Sequence, residues 1–349
     1  MTAAGITVAV SFCYNKIMRK KFKAILVITV LGLATVLLYL IPMPMAKKIE
    51  YGLVFSQKHS QNMGLDWRAN YLALLDDLKV KNLKLSAHWD LLEPQAGIYD
   101  YSGMDWQIEQ ARLRDAKVML VIGMKTPRWP ECHIPGWAKD IGKEEQQKKI
   151  LEMLENVVRH YKDDPAVAAW QVENEPLFAF GECPWTDKDF LVKEVALVRS
   201  LDGQNRPVVI SDSGEGSSWF AAAKIGDIVG VTMYRRVYFK EFKSYVTYPI
   251  PPLFYGLKAK LIDLVFKKHV ICVELQAEPW CANQLYDCNG AESEKTLSLE
   301  QFRNNIEYAK KTGFDAFYLW GAEWWYQAKI LNNDPSFWEE AKKIFSGKF

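Results

Sequence analysis

Eight short apolar, β-rich runs recur along the chain, helix-patterned segments lie between them, and no linker divides them, which predicts a single (β/α)8 barrel of the α/β class. An 18-residue uncharged stretch ahead of the first run predicts one N-terminal transmembrane helix in front of that barrel.

The N-terminal part comes first. KIMRKKFK (16–23) is a dense basic block, and AILVITVLGLATVLLYLI (24–41) follows it without a charge. Basic residues on the N-terminal side hold that end in the cytoplasm. The expected division is a cytoplasmic N-terminus over 1–23, a signal anchor over 24–42 and an extracytoplasmic barrel over 47–349. A cleaved signal peptide and a secreted product is the competing expectation, although PMPMAKK offers no good small-x-small cleavage site. Met18 would serve equally well as a start.

The strand-like runs are YGLVFS (51–56), NLKLSA (82–87), KVMLVIG (117–123), VAAWQV (167–172), RPVVIS (206–211), DIVGVTM (227–233), HVICVE (269–274) and DAFYLW (315–320). Between them, segments such as WRANYLALLDDLKV (67–80) and KKILEMLENVVRHYK (148–162) repeat apolar residues at helical spacing. In SLEQFRNNIEYAKKTG (298–313), Ser298 is placed to cap a helix start and Gly313 its end. One connection stands apart. Residues 234–266 are long, aromatic and basic, and suit a lid, a surface leaning on the membrane, or an ordinary loop followed by a helix.

Composition narrows the function. Lys plus Arg number 44 against 42 Asp plus Glu, a net charge of +2, which gives no reason to expect a nucleic-acid partner. The five His lie at no metal-binding spacing, and no glycine-rich nucleotide motif follows a strand, so neither metal nor cofactor is expected. The 13 Trp are an unusually high number, which suits either a large core or stacking platforms for sugar rings. In an oxidising compartment, Cys132 with Cys183 and Cys281 with Cys288 are plausible disulfides, while Cys272 reads as a buried thiol.

In a barrel of this class, catalytic groups sit where strands end. The fourth run ends in Glu173-Asn174-Glu175-Pro176, and the seventh ends at Glu274. An acid after an apolar strand costs desolvation free energy unless it is paired or functional. Two carboxyls facing across a cleft are what glycosidic cleavage needs, one protonated and one ionised. Glu278, four residues on, is the alternative to Glu274.

These segments resemble glycoside hydrolases of clan A, in the manner of family 5 cellulase-like and family 42-like enzymes. Asn174-Glu175-Pro176 matches the clan's strand 4 motif, and VICVELQAEPW (270–280) its strand 7 segment. SAHWDLLEPQAGIYDYSGMD (86–105), TPRWP (126–130), VTMYR (231–235) and YLWGAEWW (318–325) resemble the exits of strands 2, 3, 6 and 8. The resemblance implies Glu175 as acid/base, Glu274 as nucleophile, Asn174 on the sugar 2-hydroxyl, Tyr234 bonded to the nucleophile and Trp320 as a sugar platform. Lys84 stands where many clan members carry an Arg near the nucleophile. Trp89, His88, Trp280 and Glu323 are further candidates for sugar contact, and Trp324 and Trp325 are equally placed as platforms or as packing. The expected activity is retaining hydrolysis of β-linked oligo- or polysaccharides by a monomer. A membrane-tethered carbohydrate-binding barrel and a transglycosylase are the alternatives.

Overall fold

The computed structural model describes residues 21–23, 25–30, 32–33, 43–240, 242–288 and 290–349. Eight parallel strands close into a barrel: β1 (Glu50–Phe55), β2 (Asn82–Ser86), β3 (Lys117–Ile122), β4 (Val167–Val172), β5 (Val208–Asp212), β6 (Ile228–Met233), β7 (His269–Gln276) and β8 (Ala316–Trp320). Each pairs with its sequence neighbours, and β8 closes on β1 from Glu50 opposite Ala316 to Leu53 opposite Leu319. All eight predicted runs are strands. The seventh reaches Gln276, so Glu274 lies inside the strand's last turn of pleat and not at its end.

Helices return the chain outside the barrel: α1 (Trp67–Asp76), α2 (Ser102–Arg112), α3 (Lys143–Tyr161), α4 (Lys188–Leu201), α5 (Phe220–Ile225), α6 (Pro252–Phe266) and α7 (Leu299–Lys310), with α8 (Ala322–Leu331) and α9 (Ser336–Phe345) after β8. Side chains set their limits. The Asp66 and Asp187 carboxylates accept the free amides at the starts of α1 and α4, and Ser298 accepts from Gln301 N as the cap of α7. Gly313 takes the left-handed conformation beyond α7, with φ of +81°.

The main core lies between strands and helices, where strand residues such as Leu83, Leu120 and Trp170 meet helix residues such as Leu74, Leu154 and Val198. A second, small cluster of Met119, Ala169, Val209, Ile271 and Val273 fills the barrel itself, so the interior is packed and no pore runs through it. Gly230 makes room there, since a Cβ would come within 2.8 Å of Val273. The 234–266 connection contains a two-stranded antiparallel hairpin, Arg236–Phe239 with Ser244–Thr247, and then α6.

Of the predicted anchor 24–42, residues 25–30 and 32–33 are helical, and the remainder lies outside the described residues, as does the greater part of 1–23. Among the described residues no helix is long and apolar enough to cross a membrane.

Candidate active site

The mouth of the barrel gathers acids from several strand ends, and β4 supplies the first set. Beyond Val172 the backbone turns left-handed at Glu173 and Glu175, with φ of +59° and +42°, conformations that strain residues bearing a Cβ. Hydrogen bonds hold the turn. Glu173 accepts from the amides of Met124 (2.7 Å) and Lys125 (2.6 Å), Asn174 N donates to Lys125 O (2.7 Å), and Glu175 N donates to Ser211 Oγ (2.8 Å). Glu173 is thereby tied into the β3 exit, and its neighbours are turned inward.

Glu274 on β7 is buried and accepts at both oxygens, from Lys84 Nζ on β2 (2.8 Å) and from the Tyr234 hydroxyl after β6 (2.8 Å). Three links join it to the β4 set. Lys84 Nζ also lies 3.5 Å from Asn174 Oδ1. Thr232, the register partner of Glu274 across β6 and β7, donates its hydroxyl to Glu175 Oε1 (3.1 Å). The charge of Glu274 acts on Glu175, whose carboxyl is pushed up to about 8, first by burial and then by Glu274 and Glu131. The two glutamates are therefore electrostatic neighbours at the barrel mouth, Glu175 being 8% and Glu274 2% exposed.

Sequence reasoning missed Glu131, a third carboxyl beside these two. It follows the cis Trp129–Pro130 peptide, accepts from Asn174 Nδ2 (3.1 Å), and is raised to about 7 by burial despite nearby Lys125. Arg128 was missed as well. It forms a two-bond ion pair with Glu278, donates to Glu323 Oε2 (2.8 Å), and lies 3.9 Å over the Trp320 ring. The signal was present, because four acids at strand exits need cations, and TPRWPE carries one.

Several expected sugar contacts are corrected by burial. Trp89 is wholly buried, donates its ring N–H to Glu93 (2.7 Å) and packs edge-on against Trp137. His88 is closed in between Ser56 Oγ (3.1 Å) and Thr126 Oγ1 (2.7 Å), its ring tilted against that of His133. Glu323 is wholly buried, accepting from Ser56 N and Arg128, so it is no rim residue. Glu278 is committed to Arg128, which leaves Glu274 as the acid beside Glu175. Trp325 is core, and Trp324 packs on Phe337. Trp320 is 7% exposed with one ring face covered by Arg128. Trp280 remains half-buried at the mouth, edge-on to Tyr234 at 5.0 Å and near Phe180, while Trp129, 41% exposed, meets Phe180 from the other side. Both disulfides, Cys132–Cys183 and Cys281–Cys288, are formed, and Cys272 is a buried thiol.

The β-galactosidase model of glycoside hydrolase family 42 matches residues 66–190, about a third of the chain, including the β2, β3 and β4 exits. The chain resembles the barrel glycosidases of clan A. No curated protein matches it significantly. Solved structures share the fold at low identity. An endo-β-1,4-xylanase of glycoside hydrolase family 10 from Gloeophyllum trabeum has a TM-score of 0.54 at 16% identity, over 79% of this chain and 84% of its own. A protein of family 5, subfamily 18, from Bifidobacterium longum has a TM-score of 0.56 at 11% identity, over 78% and 70%. A β-galactosidase from the haloarchaeon Halorubrum lacusprofundi has a TM-score of 0.54 at 15% identity, and the chain spans 52% of its length.

Proposed function

We propose that the protein is a retaining O-glycosyl hydrolase acting on β-linked glycans. The observation that supports this is the neighbouring of two unlike carboxyls, joined through Lys84, Asn174 and Thr232. Glu274 accepts hydrogen bonds at both oxygens, from an ammonium and a phenol, as a nucleophilic carboxylate requires. Glu175 is held protonated to about pH 8, as a general acid requires.

In the first step a Glu274 oxygen bonds to the anomeric carbon as the glycosidic bond breaks, and the Glu175 proton passes to the leaving oxygen. In the second, Glu175, now ionised, takes a proton from water, whose oxygen displaces Glu274 from the same carbon. Two inversions give net retention. Lys84 and Tyr234 orient the nucleophile, and Lys84 stands in for the Arg common in the clan, as a point charge without the bidentate fork. Trp129 and the half-buried Trp280 offer aromatic surface for stacking a sugar, and Trp320 only the ring face that Arg128 does not cover.

Family 10 xylanase, subfamily 18 of family 5 and β-galactosidase share this fold, so the fold supports a β-glycosidase without choosing the sugar. The uncharged segment 24–41 after a basic block supports an uncleaved anchor that puts the barrel outside the cytoplasm, and the two disulfides suit that compartment.

The test is a panel of β-linked oligosaccharides with the product anomer read by NMR. A β-anomer formed first, and a loss in kcat on the order of 10³-fold or more for Glu274→Gln, is the expected result. An α-anomer formed first, or full activity in Glu274→Gln, would refute the assignment.

A further inference from the structure

The catalytic reading leaves the long 234–266 connection unused, and its helix α6 has a conspicuous outer face. Phe254, Leu257, Leu261, Leu264 and Val265 are all exposed, Leu264 at 70%. At helical geometry these five fall within an arc of about 100°. Tyr255, Gly256 and Ile262 on the far side, and Leu253 beside the stripe, are buried. Exposed Phe220 of α5 packs against Phe266 and widens the stripe, and exposed Lys260 and Lys267 border it. A contiguous apolar patch edged with lysine is the pattern of a helix lying in a membrane interface.

The path of the chain indicates what meets this face. Met43 is buried against α6: its amide donates to Lys311 O (3.3 Å), and a Cβ on Gly256, near the middle of the helix, would come within 2.5 Å of Met43 Cγ. The uncharged run 24–41 ends two residues before Met43, at most about 7 Å of extended chain. A segment entering a bilayer from that point brings α6 to the lipid surface with it.

We propose that the outer face of α6 rests in the membrane interface, its apolar stripe among acyl chains and its lysines at the head groups. The barrel is then seated on the bilayer and does not swing from a tether. Barrel helices run alongside the strands, so the barrel axis lies roughly along the membrane plane and the mouth opens sideways over the lipid surface. This rests on reading 24–42 as an anchor, and the experiment separates the two.

The full chain is reconstituted into vesicles of phosphatidylethanolamine and phosphatidylglycerol, with benzoylphenylalanine replacing Leu261, Leu264 or, as a control on the far side, exposed Leu113. Irradiation is expected to give lipid adducts at 261 and 264 several-fold above those at 113. Adducts to residues 24–42 or to a second copy, or lipid adducts no higher than at 113, would overturn the proposal. Flotation after alkaline extraction reads the anchor separately. A chain that floats without lipid adducts at 261 loses the seated face and keeps the anchor; one that does not float loses both. Leu261→Glu combined with Leu264→Glu, at two exposed positions that leave folding intact by circular dichroism, is expected to make tryptic cutting at Lys260 and Lys267 several-fold faster on vesicles, and an unchanged rate counts against the seat.

Discussion

Glu131 sets a condition on the proton that Glu175 carries. Its charge is among the causes that raise the Glu175 carboxyl, and its Oε2 holds Asn174 Nδ2, the group the clan resemblance directs at a sugar hydroxyl. The Asn174 amide has a second N–H, so a sugar hydroxyl bound there, as the resemblance implies, would share the amide with Glu131. Replacing Glu131 by Gln removes a negative charge while keeping an acceptor for Asn174. On the proposed reaction the alkaline limb of the kcat profile follows ionisation of Glu175, whose carboxyl is pushed up to about 8, and should then move to lower pH, which a pH–rate series on the two forms checks. An unmoved limb would mean that Glu131 and Glu175 do not sense one another. Glu175 and Glu274 were legible in the sequence because each follows an apolar run and sits in a recognisable tripeptide or strand segment. Arg128 left a trace in the cation that the strand-exit acids demand, but neither it nor Glu131 could be placed, because they lie in a loop whose path is set by its contacts with the β4 exit and not by a local pattern.

At the scale of elements, that loop is joined to its neighbour. Cys132 and Cys183 link the β3–α3 and β4–α4 connections across 51 residues, directly beside Glu131 and the strained 173–175 turn. Closing a loop of that length restricts the unfolded chain, so Cys132→Ser with Cys183→Ser should cost about 2–4 kcal/mol, measured by denaturant titration. Activity should fall further than stability alone explains, because Glu131 and Asn174 lose a fixed spacing. A double variant as stable and active as the parent would mean that the two connections hold each other without the bond. The strands themselves were the most legible elements. A strand buried on both faces writes a continuous apolar run, and most of the eight read that way, although Lys84 interrupts β2; the extent of β7 was misjudged by two residues because Leu275 and Gln276 continue the ladder past the acid. Trp89 and His88 misled for a related reason. Aromatic and imidazole groups at a strand exit look alike in sequence whether they face the cleft or the core, and here core packing and closed hydrogen bonds claim them.

Across the whole molecule, the gathered acids should leave a mark on stability. Burial raises Glu131 and Glu173 to about 7 and Glu175 to about 8, and raises Glu215 to about 7. Above pH 4.5 the unfolded chain gives up these protons while the folded one retains them, so stability falls as pH rises towards the folded values. Buried His59, His88 and His133 work the other way, since their lowered values make the folded state less able to take up a proton below about 6.5. The two groups oppose each other in mild acid; above about pH 7 the histidines of both states are largely neutral, and the carboxyls outweigh the opposing contribution of Lys258, whose amine burial lowers to about 8. Thermal unfolding followed from about pH 7 to 8 should therefore show a falling Tm. Glu175→Gln, which cannot ionise, should flatten that slope and be the more stable form at pH 8 by about 1–2 kcal/mol while losing turnover. A slope unchanged by the substitution would show that Glu175 is already ionised in the folded enzyme. That result would remove the general acid from the proposed reaction and leave Glu131 as the carboxyl best placed to supply the proton.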